Sequence, residues 1–278
     1  MRYEVTDHCN LECPVCYAAS GPSRPQFRTL DHIQRMLDAV VRNEGQPDIV
    51  QISGGEPTTR NDLVDIARVM IDKFPKLRKL TLNTTGITHH RAIPMLTKIV
   101  QLCNERNVIF STRVSIDGVN DMHGKVRNVR NAFEKAGKTI AAMKELQKTH
   151  RFNFGISSTI FSQNLEDADN ILAWAKKEHL DIVFNMVRFT DAMLGNSELE
   201  GKYRPMGVEA VHGRVVRHPQ PVDAPDVLTP SDDLADHTLG RRDRHTARSV
   251  GGFHGIADLA RMQHPEIERG GEQRVGQM

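Results

Sequence analysis

Along the first two thirds of the chain, short β-branched apolar runs alternate with amphipathic stretches of helical period, six times over. The runs at residues 2–6, 48–53, 77–83, 108–116, 153–161 and 181–189 predict strands. Between the first two, Leu30, Ile33, Leu37, Val40 and Val41 recur at helical spacing, with Thr29 as N-cap and Gly45 just past the end. Leu63, Ile66, Val69 and Met70 mark the next helix. Residues 93–106, 128–149 and 165–178 mark three more, the last opened by Asn164 as a cap.

Strand alternating with helix in this way is an α/β series with a parallel sheet, either an open doubly wound sheet or a barrel. Both gather ligand chemistry at the C-terminal ends of the strands. The polar and glycine-rich segments fall there. A cysteine loop follows strand one, Gly54-Gly55-Glu56-Pro57 follows strand two, and Asn83-Thr84-Thr85-Gly86 closes strand three. Ser115-Ile116-Asp117-Gly118 closes strand four, and strand five ends near Ile160.

The pattern stops near Arg204. Up to that residue the chain has 12 Lys, 16 Arg and 14 Asn, and beyond it no Lys, no Asn and 9 Arg. Residues 1–204 therefore read as the folded core domain and 205–278 as a tail of low order, rich in Arg, Gly, Pro, Asp and His. A natural disordered tail, a divergent small domain and translation out of frame all fit this composition, and the last fits its loss of Lys and Asn best. The two other reading frames beyond codon 204 test it: neither encoding a cysteine-bearing, strand-forming sequence overturns it. With such a tail, the sixth strand is expected to be an uncovered edge prone to association.

Charge adds an exclusion. Lys plus Arg total 37 against 35 for Asp plus Glu, which gives no footprint for nucleic acid or an anionic membrane. There is no apolar run long enough to span a bilayer, and no secretory leader pattern. Four cysteines in 278 residues do not form a disulfide framework, so a reducing cytoplasm is the expected compartment.

Cys9, Cys13 and Cys16 fall on one loop, and Asn10, Glu12 and Pro14 between them exclude a buried helix face. Thiolates suit iron–sulfur clusters, and three of them leave one iron of a four-iron cluster open for a ligand. A zinc site using His8 as fourth ligand is the competing reading, although structural zinc ligands usually come as two separated pairs. Cys103 shares a helix face with Leu96, Ile99 and Val100 and reads as a packing residue.

The Cys-x3-Cys-x2-Cys loop after the first strand, followed by Gly-Gly-Glu-Pro after the second, resembles the radical S-adenosylmethionine (radical SAM) enzymes over residues 2–190. The resemblance implies a partial (β/α)6 TIM-like barrel whose cofactors are a 4Fe-4S cluster held by Cys9, Cys13 and Cys16 and S-adenosylmethionine on the open iron. It implies reductive cleavage of S-adenosylmethionine to methionine and a 5′-deoxyadenosyl radical, which takes hydrogen from a peptide or small-molecule substrate. An electron donor of the flavodoxin or ferredoxin type follows from it.

By the same resemblance Gly54, Gly55 and Glu56 receive the methionyl ammonium, and Asn83 and Thr84 lie near the cofactor. Ser115 binds ribose, Arg127 pairs with the methionyl carboxylate, and Ile160 walls the adenine. Ser-Ile-Asp-Gly with His123 and Arg127 is the form seen in the peptide-modifying branch, whose later cysteines for auxiliary clusters have no counterpart after Cys103. Val15 stands where many relatives have an aromatic residue, with Tyr17 close by to compensate. The alternative is a truncated, non-catalytic remnant that binds an iron–sulfur cluster or zinc.

Overall fold

The computed structural model describes residues 1–16, 18–23, 28–189, 198, 200–203 and 215–216. The chain divides into two units, Met1–Val227 and Leu228–Met278; the second lies outside the described residues. Tyr17 and, apart from Val215–Val216, the expected tail at 205–278 lie outside them too.

Six parallel strands form the sheet: β1 (Arg2–Thr6), β2 (Ile49–Gly54), β3 (Lys79–Thr84), β4 (Ile109–Ser115), β5 (Asn153–Ile160) and β6 (Asp181–Met186). A short β7 (Val215–Val216) pairs antiparallel with Ile182 and Val183 of β6, so part of the expected free edge is covered. Strand order follows chain order without reversal. A doubly wound sheet reverses at a switch point and a barrel does not, so this is the singly wound sheet of an incomplete barrel.

The connections are α1 (Leu30–Asn43), α2 (Leu63–Lys73), α3 (His89–Glu105), α4 (Asp121–Arg127), α5 (Ala132–Leu146) and α6 (Ala168–Lys177), followed by a one-turn α7 (Glu200–Tyr203). Thr29 caps α1 as expected, its hydroxyl accepting from the His32 N–H at 3.1 Å. On the strands, Val50, Ile52, Leu80, Leu82, Phe110, Val114, Ile156 and Ile182 are fully or almost fully buried and join helix residues such as Ile66, Met70, Leu96 and Ile140 in one core. Cys103 packs there, free and buried, as its helix face implied.

Three expectations change. The helix expected at 128–149 begins only at Ala132, as α5, and a short helix that was not expected, α4, precedes it; Asn128 and Asn131 between them are left-handed (φ 52° and 56°), a conformation asparagine tolerates better than most residues. Arg127 is consequently the last residue of α4. The helix before β4 begins at His89, one turn earlier than expected, with Pro94 inside it. Asn164 caps no helix through its side chain; a 3₁₀ turn (Leu165–Asp167) separates it from α6.

Candidate active site

The β1 end is the anchor of the site. Its register with β2 shifts between Glu4 and Thr6, a local irregularity of the kind that re-aims a chain, and the cysteine loop leaves directly afterwards. The loop returns on itself: Cys9 N–H donates to the Gly21 carbonyl at 3.3 Å, Cys16 N–H to the Cys13 carbonyl at 3.2 Å, and Ala19 N–H to the Cys16 carbonyl at 3.0 Å. Val15 turns inward to a small apolar cluster with Val126, Phe161 and Tyr203, which fastens the loop to α4 and the β5 end. All three thiols are free.

The glycines after β2 allow this loop to sit where it does. Gly54 has φ 132°, and a Cβ there would strike the Thr6 carbonyl oxygen; at Gly55 it would strike that of His8. The backbones are joined instead, Gly55 N–H to Thr6 O at 2.8 Å and Glu56 N–H to His8 O at 2.9 Å. The two glycines thus serve close approach of the β2 turn to the strand that carries the cysteines.

Glu56 is 1% exposed and braces the turn. Oε1 accepts from the Thr58 hydroxyl at 2.6 Å, the Thr84 hydroxyl at 2.7 Å and the Thr58 N–H at 3.2 Å. Oε2 accepts from the Thr85 N–H at 2.7 Å. The β2 and β3 ends are therefore locked together. Two arginines clamp the same turn: Arg60 donates to the Val5 carbonyl at 2.7 Å, and Arg91 to the Thr59 carbonyl at 2.9 Å. Neither arginine, nor Thr84 or Thr85 as partners of Glu56, carries a spacing that sequence reasoning could have used.

On the other side, Arg127 and Asp117 form a pair at 2.6 Å with side chains only 13% and 5% exposed. Arg127 also donates from Nη1 to Cys13 Sγ at 3.6 Å. Burial opposes its charge, but Asp117 and Cys13 more than offset this and the guanidinium stays cationic. Burial pushes the Asp117 carboxyl up, while Arg127 and the Thr159 N–H favour the carboxylate. His123 is fully buried and accepts the Asp117 N–H on Nδ1 at 3.1 Å; burial and the Arg127 charge pull it down to about 3, so the imidazole is neutral.

Burial, helped by Glu56, pushes the Cys9 thiol up to about 12. Burial raises Cys13 as well, against the pull of Arg127. Three soft donors on one closed loop, free of disulfides and with a cation on one sulfur, fit a cluster that carries thiolate charge.

The remaining expected residues are distributed unevenly. Ser115 is half-buried at the β4 end, in register with Ser157. Asn83 is exposed on β3. Ile160 is fully buried in the apolar core. Asn164, expected as a cap, is instead buried beside Asp117 and donates to its carbonyl at 2.8 Å.

The Radical SAM superfamily model matches residues 3–175. The AdoMet-dependent heme synthase of Methanosarcina barkeri is 33% identical over 179 residues, covering 64% of this chain and 47% of that protein. The GTP 3′,8-cyclase of Actinobacillus pleuropneumoniae is 26% identical over 198 residues, covering 66% and 51%. The chain spans about half the length of these relatives. In fold it is similar to Streptococcus suis SuiB bound to S-adenosylmethionine, with TM-score 0.51, 14% identity and coverage of 69% of this chain and 41% of that one. Cys9, Cys13 and Cys16 stand at the end of the first strand of an incomplete parallel barrel, and with the matched span this places the chain in the radical SAM superfamily, whose cofactors are a 4Fe-4S cluster and S-adenosylmethionine.

Proposed function

We propose that the protein is a radical SAM enzyme acting on a small molecule, with Cys9, Cys13 and Cys16 as cluster ligands. The observation that carries this is the convergence of the free-cysteine loop, the Glu56 turn and the Asp117–Arg127 pair on one end of the sheet. The cofactors would supply one-electron cleavage of S-adenosylmethionine and a carbon radical that abstracts hydrogen.

The chain's own residues bind and orient. The backbone of Gly54, Gly55 and Glu56 would receive the methionyl ammonium, since both Glu56 carboxylate oxygens already serve Thr58, Thr84 and Thr85. Arg127, whose Nε has no partner among the described residues, would meet the methionyl carboxylate. Ser115 would hold the ribose with Asn83 nearby, and Ile160 would support the adenine side from the core below. The electron would come from a donor of the flavodoxin or ferredoxin class in the cytoplasm. Among the described residues no helix is long and apolar enough to cross a membrane.

Ser115, Asp117, His123 and Arg127 pointed to a peptide substrate. In the structure the last three hold one another, so the segment does not by itself call for a peptide. The relatives matched by sequence are named for heme and GTP, whereas peptide-bound neighbours share only the fold; this favours a small molecule over a peptide. Zinc is disfavoured, because the Gly54-Gly55-Glu56 turn joined to the cysteine loop suits a second cofactor, for which a structural zinc site has no use.

The test is 5′-deoxyadenosine formation after anaerobic cluster reconstitution, with dithionite and S-adenosylmethionine, beside a Cys13→Ala control. Product above the control supports the reading. A loaded cluster without product would instead identify a non-catalytic remnant.

A further inference from the structure

We infer that Arg127 sets the reduction potential of the cluster: its N–H···S hydrogen bond to Cys13 raises that potential, and Asp117 holds it in place to do so. The inference rests on the reading that Cys9, Cys13 and Cys16 carry a four-iron cluster.

The geometry assigns the two ends of one guanidinium to two acceptors. Nη2 faces Asp117 Oδ2 at 2.6 Å, and Nη1 faces Cys13 Sγ at 3.6 Å. A planar fork held at one nitrogen has little freedom at the other.

Asp117 is itself immobilised from three directions. Its Oδ1 accepts from the Thr159 N–H at 2.8 Å, its N–H donates to His123 Nδ1 at 3.1 Å, and its carbonyl accepts from Asn164 Nδ2 at 2.8 Å. Residues from β5, α4 and the turn before α6 thus fix a carboxylate, the carboxylate fixes the arginine, and the arginine addresses one sulfur. A surface ion pair would not need this much support.

Reduction adds one electron to the cluster, from an external donor of the flavodoxin class or from dithionite; no bond is made or broken in that step. A donor aimed at a ligand sulfur stabilises the more negative, reduced form more than the oxidised form. Hydrogen bonds to sulfur, net charge and exposure are the protein's means of tuning such clusters. The site is largely shielded from water, so the charge is weakly screened. Asp117 offsets part of it, but the Nη1 N–H itself is directed at the Cys13 sulfur.

The test is a potentiometric titration of the reconstituted full chain followed by electron paramagnetic resonance, without S-adenosylmethionine so that its carboxylate cannot contribute. At the potential where the unaltered protein is half reduced, Arg127→Gln is expected to show a reduced-to-oxidised ratio about tenfold lower. For a one-electron couple that is a shift of about 59 mV to more negative potential. Arg127→Lys keeps the charge without the fork and is expected to shift less, in the same direction.

A midpoint unchanged in Arg127→Gln at equal iron content overturns the inference. If that variant holds no iron, an unchanged midpoint in Arg127→Lys does so, and if neither holds iron the arginine is a structural prop. An unaltered chain that binds no cluster would sink the proposed function itself, a result distinct from all of these.

Discussion

Asn164 is tied to Asp117 across 47 residues of sequence, its Nδ2 donating to the Asp117 carbonyl at 2.8 Å. The same amide donates to the Thr159 carbonyl at 2.9 Å, and its Oδ1 accepts from the Phe161 N–H at 2.8 Å. One buried side chain therefore joins the β5 end to the loop that carries the Arg127 partner. Asn164→Ala leaves three backbone groups without it, and is expected to cost about 2 to 4 kcal/mol of stability. Urea unfolding measures this. A loss below about 0.5 kcal/mol, the scale of an ordinary surface change, would show that the bridge is dispensable.

Gly55→Ala tests whether the glycine pair serves the cysteine loop. The added methyl meets the His8 carbonyl, a backbone atom that cannot rotate away. His8 must shift, and Cys9 follows it in the chain. Iron bound after reconstitution is expected to fall severalfold, read by iron analysis beside the unaltered protein. Full iron content in the variant would mean that the loop adjusts freely.

Glu56→Gln separates bracing from cofactor contact. The amide nitrogen replaces one carboxylate oxygen and then faces either the Thr58 N–H or the Thr85 N–H, donor against donor, at an expected cost of about 1 to 3 kcal/mol. The loss should be present in the cluster-free protein and read in its thermal unfolding. A cluster-free variant as stable as the parent would indicate that the carboxylate serves only the cofactor.

The strands were legible in the sequence because β-branched runs such as those around Val50 and Leu80 are buried on the pleat. Their observed ends differ from the expected ones by no more than three residues. The short α4 and the late start of α5 at Ala132 were not, since left-handed asparagine at 128 and 131 has no periodic signature. The cysteines were readable from spacing alone. Asn164 misled because a polar residue before an apolar run has the same sequence appearance whether its side chain caps a helix or bridges two strand ends. Gly54 and Gly55 gave no sign that the β2 turn packs against Thr6 and His8. Arg127 gave no sign of burial, because that depends on Asp117 and Cys13 meeting it from distant parts of the chain.

His123 gives stability a pH dependence of known sign. Its folded value of about 3 lies below the ordinary histidine value near 6.5, so between these the unfolded chain binds a proton that the folded chain does not. Its contribution is present above about pH 6.5 and is lost as pH falls toward 3, with a slope of at most about 1.4 kcal/mol per pH unit. His123→Asn keeps an acceptor for the Asp117 N–H and removes the titration. Unfolding curves at several pH values should show a shallower slope in the variant; an identical slope would place the protonation elsewhere.

Cluster loading should release protons and grow with pH. Burial and the charge of Glu56 hold the Cys9 thiol near 12, and burial raises Cys13 despite Arg127, so near pH 7 both are protonated in the cluster-free chain. Iron binds thiolates, so each of these two ligands must give up its proton, and apparent affinity should rise with pH by about tenfold per unit for each proton released. The same raised values act oppositely on the cluster-free fold: their contribution is complete below the ordinary thiol value near 9 and is lost as pH rises through about 12. Raising pH from 6.5 to 8.5 should therefore favour loading before it weakens the protein. Proton release on iron addition in weakly buffered solution, with iron content at both pH values, measures the effect. Equal loading at both values without proton release would show that the thiols are already ionised, and that their burial is less complete than the structure gives.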